Sequence, residues 1–562
     1  MDFLRKTPFH LSEQDVAWVT DTYESMSVEE KIGQLFCPIG YSTDVNYLTH
    51  ELLDKKIGGL FFRDGESTEM RSVFDYAQKS SRIPLLIPAN LEAGGDGAAT
   101  DGTSYGKPMA AAAANDAKYA YRLGKIATSE GAALGCNWTF APVVDIDYNF
   151  RNPITNVRTY GSDPEVVLEY ALEYMRAATE EGVAVSIKHF PGDGVDERDQ
   201  HLLTSVNDLS MEEWNDTFGH VYRGLIDAGA LTVMVGHIAL PAYQNHLNPG
   251  DSNRVVPASL SPELIEGLLR RELGFNGLIV TDATPMVGFT AAMDRQTAVP
   301  YAIESGCDMF LFNKDLAEDH RFMMEGYQKG FLSEERLREA NLRILATKAA
   351  LKLHIKQAEN SLVPDKDALH ILKNEEHVSW AKELADQSIT LVKDTQNLLP
   401  IVVEQHTKVL LQILGDAKSN ERVISTFESL LQKQGFQVTI YEKEDLFGGT
   451  DNVKAFKEKH DLVIYLGNVE NASNKTTNRI NWYTLFGMGN NLPWFVHEVP
   501  TVFISLANPY HLFDAPMIKT YINCYSNNND VLESVALKLL GRSSFKGVNP
   551  VDPFCGREDL RY

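Results

Sequence analysis

Short apolar runs separated by amphipathic stretches recur eight times in the first part of the chain, and this alternation restricts the fold more than any other feature. The runs fall at residues 34–38, 58–62, 84–89, 138–144, 183–188, 231–236, 277–281 and 308–312. They are brief, apolar and mostly rich in β-branched residues, as expected of strands buried on both faces of a parallel sheet. Helical periodicity fills residues 164–180, 211–227, 262–272 and 296–304 between them. Ser27-Val28-Glu29-Glu30 has capping-box spacing, so a short helix is predicted to start there and to run through Ile32 into Phe36, overlapping the first strand. Strand followed by helix, repeated eight times, predicts a (β/α)8 TIM-like barrel in an α/β protein. An open doubly wound sheet would show fewer strands per domain and a glycine-rich phosphate turn after the first one. Pro38-Ile39-Gly40-Tyr41 is not such a turn.

With 562 residues the chain exceeds one core. A helical pattern of mixed charge at 333–353 closes the barrel, giving a domain over 1–353. A polar stretch with Pro364-Asp365 follows as a linker over 354–375. A second α/β domain spans 376–562, with strand candidates at 409–414, 437–441, 462–466 and 501–506. Leu414-Gly415-Asp416 lacks the GxGxxG of a dinucleotide site, and no cofactor is expected. The Asn- and Thr-rich stretch 468–494 reads as a long loop. A net charge of −25 repels phosphate backbones and anionic lipid, which argues against nucleic acid and membrane as partners. The beginning of the chain has no apolar leader, and no 18-residue apolar window occurs. The five cysteines are odd in number and contain no CxxC pair, so neither a disulfide framework nor a zinc site is expected. A reducing cytoplasm suits this composition.

In such a barrel the chemistry sits at the carboxyl ends of the strands. Just past the third run stand Asn90 and Glu92, past the fourth Asp145 and Asp147, at the fifth Lys188 and His189. His237 follows the sixth, Asp282 the seventh and Asn313 the eighth. After the fifth strand, Phe190-Pro191-Gly192-Asp193-Gly194 forces a loop that carries Asp199-Gln200-His201. A carboxylate two residues before a histidine orients the ring and stabilises its imidazolium. Together these groups suit retaining glycoside chemistry, which needs a nucleophilic carboxylate and a proton donor for the leaving oxygen. Asp282, at a rigid strand end, is the candidate nucleophile. His201, oriented by Asp199 and brought in by a mobile loop, is the candidate acid/base. Lys188, His189 and Arg158 are candidate partners of sugar hydroxyls. A metal-dependent hydrolase on the same barrel is one rival. It wants an HxH pair at the first strand, where this chain has Cys37-Pro38-Ile39, so no metal is expected. A non-catalytic sugar-binding protein is the other; it has no use for a nucleophile and a dyad together.

KHFPGDGVDERDQH, at 188–201, closely resembles the KHFPG(H)G-x4-D-x-H motif of glycoside hydrolase family 3, in its bacterial β-N-acetylglucosaminidase branch. MSVEEKIGQLF is similar to the family's opening helix, and FAPVVDIDYNFRNPITNVRTYGSDP to its fourth-strand region, with Arg158 at the sugar-binding arginine. VMVGHIALPAY and GLIVTDA resemble the sixth and seventh strands, and ADQSITLVKDTQNLLPI the start of the C-terminal α/β sandwich domain. The resemblance covers nearly the whole chain. It implies a retaining exo-acting enzyme on β-N-acetylglucosaminides or β-glucosides, with Asp282 as nucleophile and an Asp199–His201 dyad as acid/base. Lys188, His189, Arg158, Asn90, Glu92, His237 and Asp145 are then the substrate-binding set. Two positions depart from the pattern: Asp193 stands where the family usually has His, and Asn90-Leu91-Glu92-Ala93-Gly94-Gly95 stands for DxEGG. The expected partner is a small carbohydrate, bound by a monomer or a homodimer. Either water or inorganic phosphate accepts the glycosyl group. A carboxylate acid/base that has given up its proton would repel phosphate by about 4 kcal/mol across about 4 Å. A histidine in the same role turns neutral and does not.

Overall fold

The computed structural model describes residues 2–251, 255–442, 453–485, 488–489 and 491–562. They form two compact units. The first comprises Met1–Tyr105, Ala120–Asn149 and Pro164–Val378, the second Gly106–Tyr119, Phe150–Asp163 and Ser379–Tyr562.

The first unit is a closed parallel barrel. Five strands pair in the order Leu278–Thr281, Thr232–Val235, Ala184–Phe190, Trp138–Thr139 and Pro88–Ala89. Gly59 bridges Leu86, which carries the ladder to the second strand, Phe61–Phe62. Ile39 pairs with Phe61 and Phe36 with Phe310, and Val280 bridges Met309, so the ring returns to the seventh strand. All of these pairings are parallel. Closure removes sheet edges, so even two-residue strands have partners on both sides.

Two sequence expectations change. The opening helix, capped reciprocally by Ser27 and Glu30, stops at Gln34, and the first strand starts at Phe36. The Leu35 amide turns back onto the carbonyls of Ile32 and Gly33, which ends the helix before the strand begins. The helix expected over 211–227 is two helices, Met211–Asp216 and Phe218–Asp227, because Thr217 between them has φ −119 and ψ −93. Helix Glu13–Ser25, absent from the sequence expectations and capped by Ser12 and Asp15, lays Val16, Val19 and Tyr23 on Leu342, Leu345 and Ala349 of Glu334–Ala350. Residues 354–375 carry the short helices Leu353–Ala358 and Lys366–Ile371, and Arg71 Nε donates to the Pro364 carbonyl at 2.8 Å.

The second unit is a six-stranded sheet. Lys408–Leu414 lies between Gln437–Ile440 and Leu462–Gly467, followed by Thr501–Ser505, Thr520–Asn523 and the antiparallel Thr390–Asp394. Alternate residues serve opposite faces. Val409, Leu411 and Ile464 pack with Val423 and Phe427 of helix Asn420–Gln432 and with Val531 and Val535 of Asn529–Leu539. Leu410, Val463 and Tyr465 pack on the other side with Phe495 and Val499. This period-two division makes the α/β sandwich.

Candidate active site

Apart from the loop-borne Asp199 and His201, the first-unit residues of the expected set sit at or just past the carboxyl ends of barrel strands. Asp282 follows Leu278–Thr281, and its amide donates to the Val235 carbonyl at 2.8 Å, which fixes the residue to the neighbouring strand. Its Oδ1 accepts the Ala283 amide at 2.7 Å. Its Oδ2 is buried and has no hydrogen-bond partner, while His189 Nε2 stands 3.9 Å away. Burial pushes this carboxyl up in pKa, but the imidazoles of His189, His237 and His201 outweigh burial and hold it below the usual carboxylate range. The group is thus ionised and shielded, and its Oδ2 accepts no hydrogen bond.

His189 is oriented by Asp145. The ring Nδ1 lies 2.7 Å from Asp145 Oδ2, and Asp145 Oδ1 accepts the backbone amides of His189 at 3.0 Å and Asp193 at 2.8 Å. Burial raises the Asp145 carboxyl, and His189 with these amides brings it below its ordinary value. Asp145 therefore ties the end of the fifth strand to the loop that leaves it. Lys188 Nζ is 2.7 Å from Glu92 Oε1, which joins the third and fifth strand ends. Asn90 is exposed at the rim.

His201 Nδ1 lies 2.7 Å from Asp199 Oδ1, which also accepts the His201 amide at 2.9 Å. Asp199 is fully buried and His201 is 24 % exposed, so the carboxylate is covered while the ring keeps an open edge. With the Nδ1 hydrogen on Asp199, Nε2 is the nitrogen left to carry a proton. The loop is docked onto the turn that follows Asp282: the Val287 amide donates to the His201 carbonyl at 3.0 Å, and Thr204 Oγ1 to the Gly288 carbonyl at 3.1 Å. A Cβ at Gly288 would stand 2.5 Å from the Gln200 carbonyl oxygen, so only glycine permits this approach.

His237 is fully buried, with Nδ1 2.8 Å from Ser259 Oγ and Nε2 3.0 Å from the Ala283 carbonyl. Burial lowers its pKa, and the two ring contacts brace the Asp282 turn. Asn313 is buried and donates to Asp319 Oδ2 at 3.0 Å. Arg158 lies in Phe150–Asp163, within the second unit, where its Nη1 donates to the Ile154 carbonyl at 3.2 Å.

Three contributors escaped the sequence reading. Gln200 Oε1 accepts the His237 amide at 2.7 Å and so links the dyad loop to the sixth strand. Ser259 fixes the His237 ring. Glu130 accepts the Thr103 amide at 2.7 Å and lies 2.7 Å from His377 Nδ1, staying the glycine-rich loop that follows Glu92. Only Gln200, flanked by the dyad, carried a local signal. Among the described residues no group of three or more His, Cys, Asp or Glu side chains could hold a metal ion. Nor is any described helix long and apolar enough to cross a membrane.

The family described as glycosyl hydrolase family 3, N-terminal domain, matches residues 27–347. A Cellulomonas fimi protein described as beta-N-acetylglucosaminidase/beta-glucosidase is 44 % identical over 567 residues, with 99 % of both chains covered. A solved structure of the beta-glucoside phosphorylase BglX is 44 % identical, covers 100 % of both chains and superposes with a TM-score of 0.94. A β-N-acetylglucosaminidase from Paenibacillus sp. shares the fold at 24 % identity, covering 94 % of this chain and 99 % of its own, with a TM-score of 0.77. The domain match and the full-length relative lead to the same conclusion, that this chain belongs to glycosyl hydrolase family 3.

Proposed function

We propose that the chain cleaves β-glucosides and β-N-acetylglucosaminides with retention of configuration, and that inorganic phosphate as well as water takes up the glycosyl group. The observation that carries this reading is the buried, unpartnered Oδ2 of Asp282 beside a loop-borne Asp199–His201 pair. In the first step Asp282 Oδ2 attacks the anomeric carbon, the glycosidic C–O bond breaks, and the proton on His201 Nε2 passes to the leaving oxygen. In the second step an oxygen of phosphate or water attacks the same carbon and the ester bond to Asp282 breaks. His201 takes a proton back from the attacking water, or from hydrogen phosphate when that is the acceptor.

Lys188, Glu92, His189 and Asn90 are the direct sugar contacts in this reading. Asp145 and His237, with their polar atoms already engaged, position His189 and the nucleophile. Phosphate is favoured because His201 is neutral once it has given up its proton. A beta-glucoside phosphorylase among the full-length relatives supports the same acceptor. The test is turnover of aryl β-glucoside and aryl β-N-acetylglucosaminide, each with and without phosphate, with analysis of the sugar product. Sugar 1-phosphate is expected alongside free sugar. Free sugar alone at millimolar phosphate, with no rate increase, removes the phosphate half of the proposal. Asp282→Asn is expected to slow turnover by about 10²–10⁴-fold or more; near-normal turnover removes the nucleophile.

A further inference from the structure

Gln200 stands between the two members of the dyad, is 1 % exposed, and carries no proton in the proposed reaction. Its side chain is nevertheless engaged at both ends. Oε1 accepts the His237 amide at 2.7 Å, and Nε2 lies 3.5 Å from Asp193 Oδ2. Two glycines keep the room for it: a Cβ at Gly236 would stand 3.0 Å from Gln200 Oε1, and one at Gly288 2.5 Å from the Gln200 carbonyl oxygen. From His237 the contacts continue to the nucleophile. His237 Nε2 is 3.0 Å from the Ala283 carbonyl, and the Ala283 amide donates to Asp282 Oδ1 at 2.7 Å. One run of covalent and hydrogen bonds therefore connects His201 to Asp282 by way of Gln200, His237 and Ala283. The other ties of this loop to the turn after Asp282 include backbone bonds, from the Val287 amide to the His201 carbonyl and from the Gly288 amide to the Gln200 carbonyl. The Gln200 side chain is the anchor that a substitution can remove.

We infer that Gln200 is a positioning residue that sets the spacing of His201 and Asp282, so that the proton donor is in place before a substrate arrives. This role rests on the proposed functions of those two residues. The loop leaves its strand through Gly192 at φ 119 and Gly194 at φ 106, a backbone with no side chains to stiffen it. It needs an anchor further along, and Gln200 supplies one beside the ring that must be held. Undocking would leave the His237 amide without its acceptor and the buried Gln200 amide without either partner, which favours the docked state. The precision matters because the donor must reach the leaving oxygen while the nucleophile meets the anomeric carbon. A misplacement of about 1 Å costs about 10²-fold in rate.

The experiment measures kcat/KM for 2,4-dinitrophenyl, phenyl and methyl glycosides of the better-accepted sugar, with Gln200→Ala, Gln200→Met and His201→Ala. This parameter reports the steps through cleavage of the glycosidic bond. Dinitrophenolate leaves without a proton, whereas the phenyl and methyl glycosides need one. Gln200→Ala is expected to lower kcat/KM by about 10–100-fold for the phenyl and methyl compounds and by less than about threefold for the dinitrophenyl one. Gln200→Met keeps the length of the side chain without its hydrogen bonds and is expected to behave alike. His201→Ala is expected to give the same pattern at about 10²–10⁴-fold. A folding defect lowers all three substrates together, so the pattern separates positioning from stability. If His201→Ala discriminates among leaving groups and both Gln200 variants do not, the positioning role is overturned and the acid/base stands. A His201→Ala profile without discrimination, or no turnover by the unaltered enzyme, defeats the proposed function and the positioning role with it.

Discussion

Replacing Asp199 by asparagine isolates what the dyad contributes. The substitution keeps the shape and an acceptor oxygen but removes the charge 2.7 Å from His201 Nδ1. With charge centres about 4 Å apart and an effective dielectric near 20, that charge stabilises the imidazolium by about 4 kcal/mol. In the proposed mechanism the second chemical step forms an imidazolium as His201 takes a proton from water. If about half of the charge has developed at the transition state, the loss is about 2 kcal/mol, roughly 30-fold, with about 10³-fold as the ceiling. The first step on a 2,4-dinitrophenyl glycoside needs no proton donor, because that leaving group departs as an anion. Asp199→Asn should therefore release a burst of dinitrophenol equal to the enzyme concentration and then turn over slowly, with a glycosyl adduct on Asp282 visible by mass spectrometry. Azide needs no base and should restore the steady-state rate. A steady state within about threefold of the unaltered enzyme, without a burst, would refute the reasoning. So would a slow phase that azide leaves unchanged.

Lys348 is fully buried and donates to Gln34 Oε1 at 2.6 Å, and burial pushes its pKa down to about 7. Its folded pKa is below its unfolded one, so the penalty is complete below about pH 7 and fades as pH rises towards about 10. The shift corresponds to about 5 kcal/mol at most. Lys348→Met should raise the melting temperature at pH 6 more than at pH 9; equal shifts at both would contradict this. Gly288→Ala places a Cβ 2.5 Å from the Gln200 carbonyl oxygen, so kcat should fall at least about tenfold while circular dichroism stays the same. Unchanged kcat would mean that the acid/base loop works undocked. Glu130→Gln weakens the carboxylate that holds Thr103 and His377, and should cost about 2–4 kcal/mol in denaturant unfolding. A loss below about 0.5 kcal/mol would show that this clamp is slack.

What was legible in the chain follows the range of the forces involved. Strand and helix periods are written in near neighbours, so the eight barrel strands and the strand-end positions of Lys188, His189 and Asp282 were readable directly. The Asp199–His201 bond spans two residues and was readable for the same reason. Strand Thr520–Asn523 was not, because its run begins and ends in polar residues that are nonetheless buried. The chain order also gave no sign that Phe150–Asp163, with Arg158, clusters with the second unit. Only the lateral pairing of strands brings Asp145 to His189 across 44 residues, Glu92 to Lys188, and the Gln200 side chain to the His237 amide across 37. Those contacts orient the rings and leave Asp282 Oδ2 ionised and unpartnered. They depend on neighbouring strands that are remote in sequence, and no local pattern encodes which strand end will face which. The residue types of the proposed site were therefore written locally, while their orientation and charge state were decided by the pairing of strands remote in sequence.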